Sequence, residues 1–169
     1  EVYGPVLDAL AEKAYAAKTF EQLRTLLPEL GVQQITEAII IMSGMGRVLP
    51  TQPPESARAA RPSCDRLNAY LMKRAMYSGD VGYLASPVAG GGVGVNRFQQ
   101  LFLKALKGGK KTPREWAQET WDTLAAQGQL LTKEGRVMET PEENLAELNR
   151  QAVEFEAKAL PVLRALQVT

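Results

Sequence analysis

The side chains with the widest chemical reach in this 169-residue sequence are its lysines and arginines, and they are unevenly spread. Between Arg61 and Arg114 ten Lys/Arg stand against Asp65 and Asp80 alone, whereas from Glu115 onward ten Asp/Glu stand against five Lys/Arg. The net charge of +1 conceals that segregation. A basic middle of this kind attracts an acidic partner, or the acidic end of its own chain. Lys104, Lys107, Lys110 and Lys111 avoid the apolar stripe Phe98, Leu101, Phe102 of the helix that carries or precedes them. Together with Arg97 they are the candidate interaction residues, and Tyr83 and Pro87, in the loop Tyr83 to Val88, complete the set.

Other chemistries are narrowed by what the sequence omits. It has no histidine, so neither Ser-His-Asp nor Cys-His catalysis is possible within it, and the commonest metal ligand is missing. The single cysteine, Cys64, excludes an internal disulfide and a cysteine-rich zinc site, and fits a reducing cytoplasm. The glycine run Gly90-Gly91-Gly92-Val93-Gly94 nowhere satisfies the G-x-G-x-x-G spacing of a dinucleotide loop, and reads as a flexible turn. Gly109-Lys110-Lys111-Thr112 lacks the upstream glycine of a phosphate loop and has Lys111 where Ser or Thr belongs. Glu142 and Glu143 suit a helix N-terminus, where the macrodipole favours acids. Trp116 and Trp121 read as core rather than as a stacking platform. No catalytic, cofactor-binding or metal-ligating residue is assigned.

The elements that position these groups are mostly helices. Pro5 opens a first helix with a Leu7, Leu10, Ala11, Ala14 stripe, and Thr19 with Gln22 forms a capping box for a short second one through Leu27. A third carries Ile35, Ala38, Ile39 and Met42, and a short strand is expected at Arg47 to Leu49. Pro50 to Pro62, with four prolines, reads as a linker, and Ser63 as the cap of a helix bearing Leu67, Tyr70, Leu71 and Arg74. Asn96 caps the next helix, and Gly108-Gly109 ends it. Thr112-Pro113-Arg114-Glu115 opens a short helix around Trp116, with another around Trp121 and Leu124. Residues 130–138 read as a β-hairpin turning at Glu134-Gly135, and Thr140-Pro141-Glu142-Glu143 starts a long helix that Pro161 ends or kinks.

The expected fold is therefore mainly α with short β-hairpins, as tandem winged-helix-like units joined by a linker and an extra helix. The first unit spans 1–52, the linker, helix and glycine-rich connection 53–95, and the second unit with its long C-terminal helix 96–169. The recognition helix of such a unit needs cations for phosphates. Here the first offers Gln33, Gln34, Thr36 and Glu37, and the second Glu119, Thr120, Asp122 and Thr123. Repulsion disfavours nucleic acid as a partner through those helices. The longest apolar run, Ala38 to Met42, is far below a membrane span, and no basic start leads into a signal segment. A cytoplasmic location without a membrane partner is expected.

Several motifs resemble a known family as a set. Tyr83-Leu84-Ala85-Ser86-Pro87-Val88 followed by glycines, Gln100-Leu101-Phe102-Leu103, Thr140 to Leu148, and Leu160-Pro161-Val162-Leu163-Arg164-Ala165-Leu166 resemble the region C-terminal to the catalytic domain in bacterial S-adenosylmethionine-dependent methyltransferases. That region is called a methyltransferase regulatory domain and is similar to the trailing domains of protein-lysine methyltransferases. The resemblance covers about residues 60–169. It implies a non-catalytic module that regulates the enzyme or positions a protein substrate, with the upstream catalytic domain as partner and S-adenosylmethionine bound there rather than here. The chain opening at Glu1 fits a piece of a longer protein. A nucleic-acid-binding module using the basic middle is the alternative.

Overall fold

The computed structural model describes residues 2–169. Their order is α1 (Tyr3–Tyr15), α2 (Phe20–Leu26), α3 (Val32–Gly44), α4 (Pro54–Arg74), β1 (Tyr83–Ser86), β2 (Gly91–Gly94), α5 (Arg97–Lys107), α6 (Pro113–Ala125), β3 (Thr132–Lys133), β4 (Arg136–Val137), α7 (Pro141–Glu154), a π-helical stretch (Phe155–Ala159) and α8 (Leu160–Ala165). The protein is mainly α with two short antiparallel hairpins, β1–β2 and β3–β4. The succession α5, α6, β3, β4 is compatible with a winged unit.

Local chemistry sets the helix starts. Thr19 with Gln22, Asn96 with Gln99, Thr112 with Glu115 and Thr140 with Glu143 each close a capping box. At α7 the Thr140 hydroxyl accepts from the Glu143 N–H at 3.2 Å, and Pro141 fills a first-turn position whose N–H has no helical partner anyway. Glu134 and Gly135, at φ 51° and 82°, make the tight turn between β3 and β4.

Several expectations need correction. The linker Pro50 to Pro62 ends early, because α4 begins at Pro54 and runs straight through Pro62. Pro54 is preorganised for the first turn, and Ala57, Ala59 and Ala60 favour helix strongly enough to carry the exposed Pro62. Ser63 thus lies inside a helix rather than capping one. The inward residues of α4 are Ala57, Asn68 and Met72, while Leu67 and Tyr70 face solvent. Arg47 to Leu49 forms no strand, since no second strand lies beside it to complete a ladder. In α1 the packed face is Val6 and Ala9 with Leu10, one residue off the expected stripe, so Leu7 points out. The two short helices around Trp116 and Trp121 are one, α6. The connection Tyr77 to Val95 contains the β1–β2 hairpin instead of a flexible turn.

The main core gathers α4–α8 and both hairpins. Phe102, Leu103, Trp116, Leu148, Phe155 and Val168 are buried there with Leu84 and Val95 from the ends of the first hairpin. The Phe155 ring sits 5.7 Å from Phe102 and 6.2 Å from Trp116, centroid to centroid, in tilted and edge-on arrangements that aromatic quadrupoles favour. Helices α1–α3 enclose two small clusters, Val6 with Ala38 and Met42, and Ala9 with Leu23 and Ile35, and α1 packs against α8. Among the described residues no helix is long and apolar enough to cross a membrane.

From Pro141 to Ala165 the chain is one helical rod interrupted by the π stretch. Its buried apolar residues, Leu148, Ala152, Phe155, Leu160 and Leu163, step by four, three, five and three. The five-residue step falls across the π stretch, where the Leu160 N–H reaches back to the Phe155 carbonyl. The wider turn keeps the apolar stripe on the core side and admits Pro161, which has no N–H to give.

Candidate protein-docking surface

The corner between α5 and α6 displays the basic cluster, and its backbone is fixed at every step. Gly109 adopts φ 97°, which glycine alone takes without strain. Its N–H bonds the Leu106 carbonyl at 3.0 Å, and the Lys110 N–H bonds the Ala105 carbonyl at 3.0 Å. These two bonds form a Schellman stop, which satisfies the last carbonyls of α5. The Lys110 carbonyl then accepts from the buried Trp116 indole N–H at 3.0 Å. One Glu115 carboxylate oxygen takes the backbone N–H groups of Lys111 and Thr112 at 3.0 and 2.9 Å. Those donors hold the Glu115 carboxyl below its ordinary pKa, the Lys111 bond contributing most.

On that frame Lys107, Lys110, Lys111 and Arg114 are exposed, and none pairs with a carboxylate among the described residues. Charges gathered on a rigid turn lose little chain entropy on meeting a partner, and they steer approach over about a Debye length. Lys107, Lys110 and Lys111 are thus brought together as the sequence suggested.

The remaining candidates are placed otherwise. Lys104 is half-buried and faces Glu119 at 3.4 Å, an ion pair between α5 and α6 that removes it from the free set. Arg97 is a strut: its guanidinium donates to the carbonyls of Ala75 and Met76 at 2.8 and 3.0 Å and to Gln129 Oε1 at 2.8 Å. Partial burial lowers its pKa. Pro87 is buried in the turn of the first hairpin and offers no contact surface. Tyr83 stays exposed on β1, on an element separate from the lysine corner.

Sequence reasoning missed buried polar groups that hold the neighbouring elements, Asn68, Asn144 and Glu147 among them. Asn68, on α4, takes both backbone groups of Ala85, donating to its carbonyl at 2.8 Å and accepting from its N–H at 2.7 Å. Asn144 accepts from the Leu131 N–H at 2.8 Å and donates to the carbonyls of Met138 and Thr140 at 2.7 and 2.8 Å, which ties both ends of the β3–β4 hairpin to α7. Glu147 receives Arg150, Gln151 and Lys133, and chiefly the Arg150 guanidinium brings its pKa down to about 2. The available signal was a polar residue at a stripe position, as Asn68 stands four before Met72 and Asn144 four before Leu148.

The glycine run forms the end of a hairpin turn and the strand β2, so it is not a loop between a strand and a helix that could cradle a phosphate. Among the described residues no group of three His, Cys, Asp or Glu side chains is arranged to hold a metal ion.

No protein-family model matches the chain, and no solved structure does. The chain is similar to the uncharacterized protein sll1526 of Synechocystis sp., with 32% identity over 171 aligned residues. That alignment takes in 100% of this chain and 32% of the relative, so the chain spans about a third of the length of the curated relative it matches.

Proposed function

We propose that this chain is a non-catalytic docking module of a larger protein, which holds an acidic protein surface against the α5–α6 corner. The observation that carries the reading is the set of exposed Lys107, Lys110, Lys111 and Arg114, unpaired among the described residues, on a backbone fixed by the Schellman stop and the Thr112 box. The resemblance of residues 60–169 supports a regulatory or substrate-positioning module of an S-adenosylmethionine-dependent methyltransferase, and a relative about three times as long supports a module within a larger chain. The cofactor then belongs to the catalytic domain, and the partners are that domain and a protein substrate in the cytoplasm.

Replacing Lys107, Lys110 and Lys111 together with Glu in the full-length parent protein tests it. The association rate with the protein acceptor is expected to fall by about tenfold or more at low salt and to converge with wild type at high salt, with the cofactor affinity unchanged. Equal rates at both salts would overturn the docking role. Micromolar S-adenosylmethionine binding by this chain alone would overturn the non-catalytic reading. Tight, steeply salt-dependent binding of a random DNA duplex would replace it with the nucleic-acid-binding alternative.

A further inference from the structure

The β1–β2 hairpin has two edges, and the chain treats them differently. The register pairs Tyr83 with Gly94, Leu84 with Val93, Ala85 with Gly92 and Ser86 with Gly91. Just beyond it the Val95 N–H bonds the Gly82 carbonyl at 2.9 Å. In an antiparallel ladder the hydrogen-bonded pairs alternate, so Gly82, Leu84 and Ser86 face Val95, Val93 and Gly91 with their backbone groups turned inward. Tyr83 and Ala85 on one strand, and Gly92 and Gly94 on the other, turn theirs outward. On the β1 side this edge is closed at Ala85, because Asn68, 1% exposed, takes both of its backbone groups. On the β2 side the N–H and C=O groups of Gly92 and Gly94 have no partner among the described residues. Gly92 and Gly94 are both exposed.

The β2 edge, though only four residues long, lacks most of the usual guards. It has no charge, no proline and no bulge, which are the devices that keep an edge strand from pairing. Its glycines are not needed by the fold: only Gly90, in the turn, has a positive φ, a Cβ on Gly91 or Gly94 would meet nothing within 4 Å, and one on Gly92 would meet Tyr83 at an ordinary 3.6 Å. Glycine in a strand weakens it, and it often marks a place where another backbone comes close.

We propose that the β2 edge receives an extended peptide segment of a partner protein, which adds a third strand by pairing with Gly92 and Gly94. Residues directly opposite each other share a face, so the residue beside Val93 lies on the core side and must be apolar, and its neighbours lie over bare glycine beside the exposed Tyr83 ring. A second copy of β2 in the same place would set glycine against glycine, with no side chain to cover that face. The inference uses neither the lysine corner nor its partner, so either can fail alone.

The test selects peptides from a randomised heptapeptide library on the intact chain and measures amide exchange at Gly92 and Gly94. Expected are proline-free peptides with an apolar residue at alternate positions, which slow exchange at both amides by about tenfold or more. Gly92→Pro removes an outward N–H that none of the described residues uses, and should weaken these peptides by about five- to tenfold. Gly94→Ala keeps its N–H, has free space for the methyl group, and should bind as wild type, which separates lost pairing from lost folding. Selected peptides that bind Gly92→Pro equally well, no enrichment of proline-free peptides, or protection of both amides by dimerisation of the chain alone would each overturn the proposal.

Discussion

Removing the Asn144 side chain tests most directly whether buried polar bolts, rather than the two-residue strands, hold the β3–β4 hairpin. Asn144 is fully buried, and Asn144→Ala deletes three hydrogen bonds at once. The three groups left behind are not equivalent. The Thr140 carbonyl keeps the Asn144 backbone N–H at 3.2 Å, so it stays satisfied. The Met138 carbonyl belongs to a half-buried residue that water can reach, and its loss costs about 0.5–1 kcal/mol. The Leu131 N–H belongs to a residue only 5% exposed, and stranding it costs about 1–3 kcal/mol. Asn144→Ala should therefore destabilise by about 1.5–4 kcal/mol, read in urea as a lower midpoint at unchanged slope. Amide exchange at Leu131 should accelerate before global unfolding. Asn144→Asp keeps an acceptor for Leu131 but sets an oxygen against two carbonyls, so at neutral pH it should lose at least as much and recover in part on acidification. A loss below about 0.5 kcal/mol for Asn144→Ala would refute the reasoning, because the hairpin would then be held by its own ladder.

Glu147 gives a pH signature. Its pKa is near 2 in the fold against an ordinary 4.5, so its contribution is complete above about pH 4.5 and disappears as pH falls toward 2. With Lys133 and Arg150 about half-exposed, screening limits that contribution to about 1–2 kcal/mol, and Glu147→Gln should flatten this part of the acid limb of a stability profile. Thr140→Ala removes the α7 cap and should cost about 1 kcal/mol, or about 2–4 °C in a melting curve; an unchanged melt would show that Pro141 alone secures the start.

The sequence was most legible where one residue type has one physical use. Three capping boxes, the Asn96 cap, the Glu134-Gly135 turn and the stripe Leu101, Phe102, Ala105 could be read directly, because a threonine three residues before Glu or Gln, an asparagine just before an apolar stripe, or a glycine at positive φ has few other roles. The lysine corner was legible for the same reason: side chains off the stripe beside paired glycines must face water. Prolines misled, since Pro54 and Pro62 suggested a linker where helix-forming alanines prevail. The β1–β2 hairpin was hidden because β2 has almost no side chains, so no alternation marks it. Arg97 and Lys104 look like free cations in one dimension, and only the chain returning through Met76, Gln129 and Glu119 occupies them.

The π stretch at Phe155–Ala159 has a consequence for chain length. An α-helix counts residues strictly, and one inserted residue turns everything beyond it by about 100° onto the wrong face. Here a single wide turn absorbs one surplus residue, and the stripe resumes in phase at Leu160. Removing one residue among Glu156, Ala157 and Lys158 would convert the five-residue step into four, the spacing an ordinary helix follows. This short exposed stretch is thus a place where homologous chains can gain or lose a residue while the core on either side stays aligned. Elsewhere in the same rod, between Leu148 and Phe155, an equal change would rotate either Leu148 or Phe155 out of the aromatic cluster.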